Sequence, residues 1–282
     1  MESINQKSIY YVAKKEFMDN IRNKWIIILT TLLFLLVIVF AYLAYQQQGS
    51  KDIFQNTAVG LISISSILIP LIAIILGFST ISGEAESGSF SVVLSYPVTR
   101  LEVLLGKFLG LGSVIVVSVL AGFGIGGIII TAAAGGESWL GFLIFILLTV
   151  LLGLIFLSLS ICISAICKKR ITSIGGGLLI FFWGMILSFV FLGILYASGY
   201  TIGELSKGNI PSWYWFENFL SPTDLNQVAA MRGFGLNQIS MGRQISVTLP
   251  DFLNAGSILI VLLIWLMIPL VLAYFFFKKR DI

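Results

Sequence analysis

The stretch SWLGFLIFILLTVLLGLIFLSLSICISAICKKR, running from Ser138 to Arg170, decides the fold. It carries no charge from Ser138 to Cys167 and then three cations in succession, Lys168, Lys169 and Arg170. A bilayer-spanning helix takes about 20 apolar residues, and cations gather at the cytoplasmic ends of such helices. The run therefore reads as a membrane helix whose C-terminal end faces the cytoplasm. Comparable uncharged runs lie between neighbouring charges at Trp25–Ser50, Ile53–Gly83, Phe108–Gly136, Ile171–Gly203 and Phe252–Phe277. Trimmed to their apolar parts, they predict six transmembrane helices near 26–45, 58–80, 106–133, 139–166, 174–198 and 255–277. No strand pattern competes with them.

Composition points the same way. The chain of 282 residues is 58% hydrophobic and 11% charged, against roughly 45–50% apolar in soluble domains, and its mean hydropathy is +1.02. A soluble enzyme of this size cannot hide that much apolar surface, so lipid is the solvent. The chain has no His and two Cys, Cys162 and Cys167, both beside the basic cluster at 168–170. That excludes a disulfide framework and a metal cluster. The net charge of +4 resides in cations at the ends of apolar runs, as membrane anchors do, so no nucleic-acid partner is expected. Residues 1–25 are too polar for a signal peptide and 26–45 lacks a small-residue cleavage site, so the first helix is read as retained.

An even number of spans places both termini on one side. Thirteen of the 17 Lys and Arg residues fall on the terminal segments and even-numbered loops, so the positive-inside rule puts both ends in the cytoplasm. The expected fold is an all-α polytopic protein of the cell (plasma or inner) membrane. Ahead of its first span, Ile9, Tyr10, Ala13, Phe17 and Ile21 share one side of a helix opposite Lys15, Asp19 and Arg22. That pattern suits an amphipathic helix over 1–25, lying at the lipid surface or packed on the rest of the protein.

The most informative polar string is Gly83-Glu84-Ala85-Glu86-Ser87-Gly88-Ser89-Phe90, then Leu94-Ser95-Tyr96-Pro97-Val98-Thr99-Arg100 and Leu104-Leu105-Gly106-Lys107. It lies in the cytoplasmic loop at about 81–105. Thr99 with Glu102 has the T-x-x-E form of a capping box, and Pro97 enforces a break upstream. Phe90, Val93 and Leu94 recur at helical spacing, so 84–95 is expected to be a short transverse helix. Taken singly, Glu84 and Glu86 are also what any water boundary after a span requires.

The ordered string resembles the cytoplasmic loop of ABC-2 type transporter permeases. The resemblance extends to Ala13-Lys14-Lys15-Glu16-Phe17 with Asn20-Ile21-Arg22-Asn23-Lys24-Trp25, to Leu220-Ser221-Pro222-Thr223-Asp224, and to the basic ending after Ala273-Tyr274-Phe275. In these segments the chain is most similar to the NosY-like branch, permeases linked to maturation of nitrous oxide reductase. The resemblance implies one ABC-2 type transmembrane domain over 1–282, with a coupling loop at 81–105 and an extracytoplasmic loop at 199–254. It also implies a homodimer bearing two copies of a separate ATPase subunit, which holds ATP and Mg, and leaves room for an extracytoplasmic accessory protein. No cofactor is expected in this chain. Glu84, Glu86, Ser87, Gly88 and Phe90 are the residues expected to touch the ATPase; Pro97, Thr99, Arg100, Glu102 and Lys107 would support that loop and position the next helix.

No catalytic residues are expected. The phosphate-loop pattern G-x-x-x-x-G-K-[ST] is absent, since Gly106-Lys107 is followed by Phe108. Copper handling has thin support, Met231 and Met241 being the soft ligands of the outer loop. Gly106 with Gly110 and Gly122 with Gly126 form G-x-x-x-G pairs, which bring helix backbones close either within one subunit or across a dimer. Pro70 and Pro269 should kink their helices. Trp213 to Phe216 and the Ser221-Pro222 helix start form a re-entrant or surface-lying segment at the outer mouth. An ion-coupled secondary transporter or a non-transporting scaffold is the alternative, though such transporters use ionisable groups or broken helices near mid-membrane. Charge-free walls suit lipid-like or amphipathic cargo, mechanical transmission to an outer partner, or a small ion.

Overall fold

In lipid a backbone group finds no water to bond, so uncharged runs satisfy their own amides as helices. The computed structural model describes residues 5–46, 51–88, 98–133, 139–201, 210–236, 238–240, 246–248 and 250–280. The helices are α1 Gln6–Ile21, α2 Lys24–Gln46, α3 Lys51–Gly77, α4 Ser82–Glu86, α5 Arg100–Ala133, α6 Trp139–Ile166, α7 Arg170–Phe181 and α8 Trp183–Ala197. A 3-10 turn at Ser212–Phe216 leads to α9 Glu217–Leu220 and α10 Pro222–Gly233, and α11 Ala255–Lys279 ends the fold.

Among the described residues, four stretches are long and apolar enough to cross a membrane: Ala58–Glu86, Arg100–Gly124, Trp139–Ile166 and Ala255–Lys279. Two bent pairs raise the number to six where each counts as one span. They are Gln6–Ile21 with Lys24–Phe40, bent by 68°, and Arg170–Phe181 with Trp183–Ala197, bent by 42°. Neither bend lies at a proline: α3 and α11 run on through Pro70 and Pro269. The break at Phe182 lies where another segment presses in, as described below. All-helical architecture has one exception, a hairpin pairing Gln238–Ser240 antiparallel with Ser246–Thr248. Strands this short leave no period-2 signal long enough to read.

α6 is the central helix, packed against α3, α5, α10 and α11. One apolar core joins α2, α3, α5 and α6 around Ile69, Ile72, Val114, Ile115, Phe145 and Phe156. A second gathers Ile155 and Leu159 of α6 and Ile258 and Leu262 of α11 with Trp215, Leu225, Val228 and Leu253, so the segment over 212–233 shares a core with two long helices. Trp215, grouped by sequence with interfacial aromatics, is 5% exposed. By contrast, long apolar faces of α8 and α11, among them Phe189, Val190, Ile260 and Ile264, are exposed, as lipid-facing helices require.

α1 packs along the first turns of α5. Small residues allow backbones to approach. A Cβ on Gly106 would stand 2.6 Å from Val12 Cβ, and one on Gly110 would stand 2.5 Å from the Ala13 carbonyl oxygen. This G-x-x-x-G pair therefore works within the subunit. Gly122 faces Leu33 of α2; the surroundings of Gly126 lie outside the described residues. Phe17 and Ile21 reach the main core, while Tyr10, expected on the apolar side, is 60% exposed.

Replacing Gly110 by Leu should separate α1 from α5, because overpacking a tight contact costs about 1–3 kcal/mol. Gly124→Leu, where nothing lies within 4 Å of an added Cβ, is the matched control. Thermal melting in detergent should show a lowered midpoint for the first variant and little change for the second; equal midpoints would refute the close packing.

Candidate functional site

The polar string after α3 is pinned by side chains from the neighbouring helices. α3 ends at Gly77, and the turn that follows leaves carbonyl and amide groups without helical partners. Ser160 Oγ donates to the Ile74 carbonyl at 3.2 Å and Ser173 Oγ to the Phe78 carbonyl at 2.6 Å. Ser164 Oγ accepts from the Ile81 and Ser82 amides at 3.0 and 2.9 Å and donates to Ser82 Oγ. These buried serines fix where α4 begins.

Of the helix expected over 84–95, residues 84–88 are described and 89–95 lie outside the described residues; α4 covers its beginning. It starts earlier, at Ser82, and ends at Glu86 with Ser87 as its C-cap. Gly88 has φ +72°, the left-handed conformation that closes a helix. Phe90 and Pro97, both expected in the coupling loop, lie outside the described residues. Glu86, Ser87 and Gly88 are exposed. Glu86 Oε2 accepts the Arg170 amide at 2.8 Å, capping α7, and the Arg170 guanidinium lies 5.2 Å from the Phe78 ring centroid. Between them opens a cleft of about 440 Å³ lined by Gly83, Glu86, Ser87, Arg170, Ile171 and Ile174.

Glu84 faces the other way. Lys107 Nζ donates to Glu84 Oε1 and to Glu16 Oε1, each at 2.6 Å. The Lys107 side chain is 3% exposed, that of Glu16 10% and that of Glu84 22%. Three charges from α1, α4 and α5 thus meet out of water. Removing one partner from such a cluster costs about 3–5 kcal/mol, because the others stay buried unpaired.

The remaining support residues divide between two tasks. Thr99 and Glu102 form the capping box: the Thr99 amide donates to Glu102 Oε2 at 2.9 Å and the Glu102 amide to Thr99 Oγ1 at 3.3 Å. The other carboxylate oxygen, Glu102 Oε1, accepts the Asn5 amide at 2.6 Å, holding the start of α1. Arg100 does not hold its own helix. Its Nη1 donates to the carbonyls of Phe277, Lys278 and Arg280 at 2.6, 2.9 and 2.8 Å, capping α11, where the helix dipole favours a cation. Arg280 in turn reaches the Ser164 and Ala165 carbonyls near the end of α6. Sequence reasoning gave no part to Glu16, Ser164, Ser173 or Arg280. Serines one turn apart, Ser160 and Ser164, in an otherwise apolar run were the available signal.

A second polar locus lies in the outer segment. Ser221 caps α10, accepting the Asp224 amide at 3.3 Å, with Pro222 at the first helical position, as the sequence indicates. The tip of this segment reaches roughly midway along two long helices. Trp183 Nε1 donates to the Leu220 carbonyl at 3.0 Å and Trp265 Nε1 to the Phe219 carbonyl at 3.1 Å. A Cβ on Gly184 would stand 2.6 Å from Ser221 Oγ, so glycine permits the contact at the bend between α7 and α8. Glu217 is 6% exposed and accepts from the Ser188 and Tyr214 hydroxyls. Burial first, then the nearby Asp224 charge, holds the Glu217 carboxyl above its ordinary range despite those hydrogen bonds. Burial likewise raises Asp224, against the Ser221 hydrogen bond. Tyr214 is pushed up to about 12 by its own burial and by the Glu217 charge.

Comparison with known proteins gives the family. The sequence profile described as ABC-2 family transporter protein matches residues 10–282. The "Probable ABC transporter permease protein NosY" of Stutzerimonas stutzeri is 30% identical over 281 residues, covering 96% of this chain and 98% of the relative. The protein of the same description from Pseudomonas aeruginosa is 31% identical over 281 residues, covering 97% and 99%. The chain belongs to the ABC-2 transporter family.

With Glu217 and Asp224 both raised, the folded outer segment binds protons more tightly than the unfolded chain. Its stability is greatest below the ordinary carboxylate range and declines as pH rises through the raised values. Melting in detergent from pH 4 to 8 should show that decline, and Glu217→Gln with Asp224→Asn should flatten it. A profile of unchanged slope in the double variant would place the titration elsewhere.

Proposed function

We propose that this ABC-2 family chain is the membrane-spanning subunit through which a separate ATPase drives export or a transmembrane conformational signal. The observation that carries the proposal is the exposed tip Glu86-Ser87-Gly88, standing on a helix pinned from behind by Ser164, Glu84 and the α7 cap. A peg held this rigidly passes a push into the helices behind it, whereas a free loop would absorb it. The cleft beside Arg170 and Ile171 gives a partner side chain a seat. Both relatives carry ABC transporter permease in their description, which supports an ATP-hydrolysing partner with its own phosphate loop.

In this reading each bent helix pair is one segment at the membrane, α1 lies along the inner leaflet, and both termini are cytoplasmic. Two copies of the chain pair in the cell membrane with two ATPase subunits, and closing of the ATPase dimer around ATP rocks them between two states. The segment at 212–233 enters from the outer side and turns back, its backbone tolerated at depth because Trp183 and Trp265 satisfy the carbonyls at its tip. A second reading, ion-coupled transport without ATP, draws on Glu217 and Asp224 beside a broken helix, where such transporters keep their ionisable groups.

Ser87→Arg, which leaves the Glu86 bond to the Arg170 amide intact, should reduce capture of a co-expressed partner ATPase by tenfold or more, while the variant permease keeps its melting temperature. Undiminished capture would reject the docking surface. Transport in vesicles that follows a pH gradient without ATP, and is lost in Glu217→Gln, would favour the second reading.

A further inference from the structure

We propose that Lys107 is a positioning residue that joins α1 to the ATPase-receiving segment, so that the two move as one part. This rests on the coupling reading above and adds where the push goes.

The argument starts from how α4 is held. On one side its ties are neutral caps and a helix-end carboxylate: Ser164 on the Ile81 and Ser82 amides, and Glu86 on the Arg170 amide. These connect it to α6 and α7. Toward α1 the connection runs through charge, Glu84 to Lys107 to Glu16, at 2.6 Å on either side of the ammonium. An ammonium is a compact charge with three donors on a flexible stem, so it follows two carboxylates through a rotation without losing either. With the Lys107 side chain 3% exposed, no water takes the place of a departing partner. Pulling Glu84 away would leave an unmatched charge buried, so Lys107 and Glu16 are drawn along.

α1 is equally tight on its seat. Gly106 and Gly110 let it contact α5 at backbone distance, and Glu102 grips the Asn5 amide. The outward side of α1 presents Lys7, Tyr11, Lys14, Lys15 and Arg22. A displacement at Glu84 therefore emerges as a tilt of a basic, aromatic helix, 68° from the axis of α2. The receiving segment has two outputs, one through caps into α6 and α7 and one through charge into α1.

The test uses the full chain with Cys162→Ser and Cys167→Ser and paired spin labels at Tyr11, which is 66% exposed, and Ser87, also exposed. In the permease alone the distance distribution should be narrow. The neutral triple variant Glu16→Gln, Glu84→Gln, Lys107→Met buries no unpaired charge and should widen it at least twofold. The reversed triple variant Glu16→Lys, Glu84→Lys, Lys107→Glu should narrow it again. A neutral variant as narrow as the parent, or a reversed variant as wide as the neutral one, overturns the linkage. With ATPase and ATP added to chains labelled at Tyr11 alone, so that the docking tip is unaltered, the Tyr11 spectrum should change in the parent, and that change should fall at least fivefold in the neutral variant. If the doubly labelled variants behave as expected without nucleotide while the Tyr11 label ignores ATP in the parent, the linkage stands and the coupling reading fails.

Discussion

Lys107 carries its ammonium into a place where water does not follow, and the helices around it are arranged to make that tolerable. A single carboxylate would neutralise it, yet two are supplied, from helices far apart in the chain. Each of the three groups makes the others affordable. Gly106 and Gly110 let α1, which carries Glu16, come close, and α4 begins two residues before its first acid, where Ser164 holds Ser82. The position of α4 is thus a consequence of charge burial and serine bonds rather than of loop length.

A second set of contacts solves the related problem of helix ends. Carbonyls at the ends of α6 and α11 and the turn after α3 have no helical partners, and in lipid an unmet carbonyl is costly. Arg100, Arg280 and Ser173 reach carbonyls there, and Ser160 adds a second bond to the Ile74 carbonyl in the last turn of α3. Because Arg100 starts one helix and caps another, the beginning of α5 cannot shift without dragging the end of α11. Bonds of this kind tie α5, α6 and α11 together at one end. The outer segment is joined to the spans by two tryptophan donors and an apolar core.

These features were unequally legible in the sequence. Long uncharged runs give their helices directly, since nothing else satisfies an apolar backbone in lipid. The capping boxes at Thr99 and Ser221 were equally plain, because a cap is a local bond between residues three apart. Glu84 read as a surface acid because its partner lies 23 residues on in another helix, and composition carries no trace of that pairing. Likewise the start of α4 at Ser82 depends on Ser164, 82 residues on in another helix, which no local spacing announces. Arg100 was assigned to its own helix because sequence proximity is a poor guide to where a long side chain finds its carbonyls.

The bend at Phe182 shows how tertiary packing decides what local rules leave undetermined. Pro70 and Pro269 are the residues that local chemistry marks for breaks, yet their helices continue. The 42° bend falls in a stretch without proline, where Gly184 admits Ser221 and Trp183 donates to the Leu220 carbonyl. The bend coincides with a close approach of another segment, not with a residue that local chemistry marks for a break. Glu217 and Asp224 come with that segment, so two carboxyls that are distant from the spans in sequence stand against the middle of one in space. A pattern search confined to the spans registers no ionisable group there. In the folded chain the segment over 212–233 carries Glu217 to Ser188 of α8 and Asp224 to Gly184 beside the bend, a placement that only tertiary packing creates.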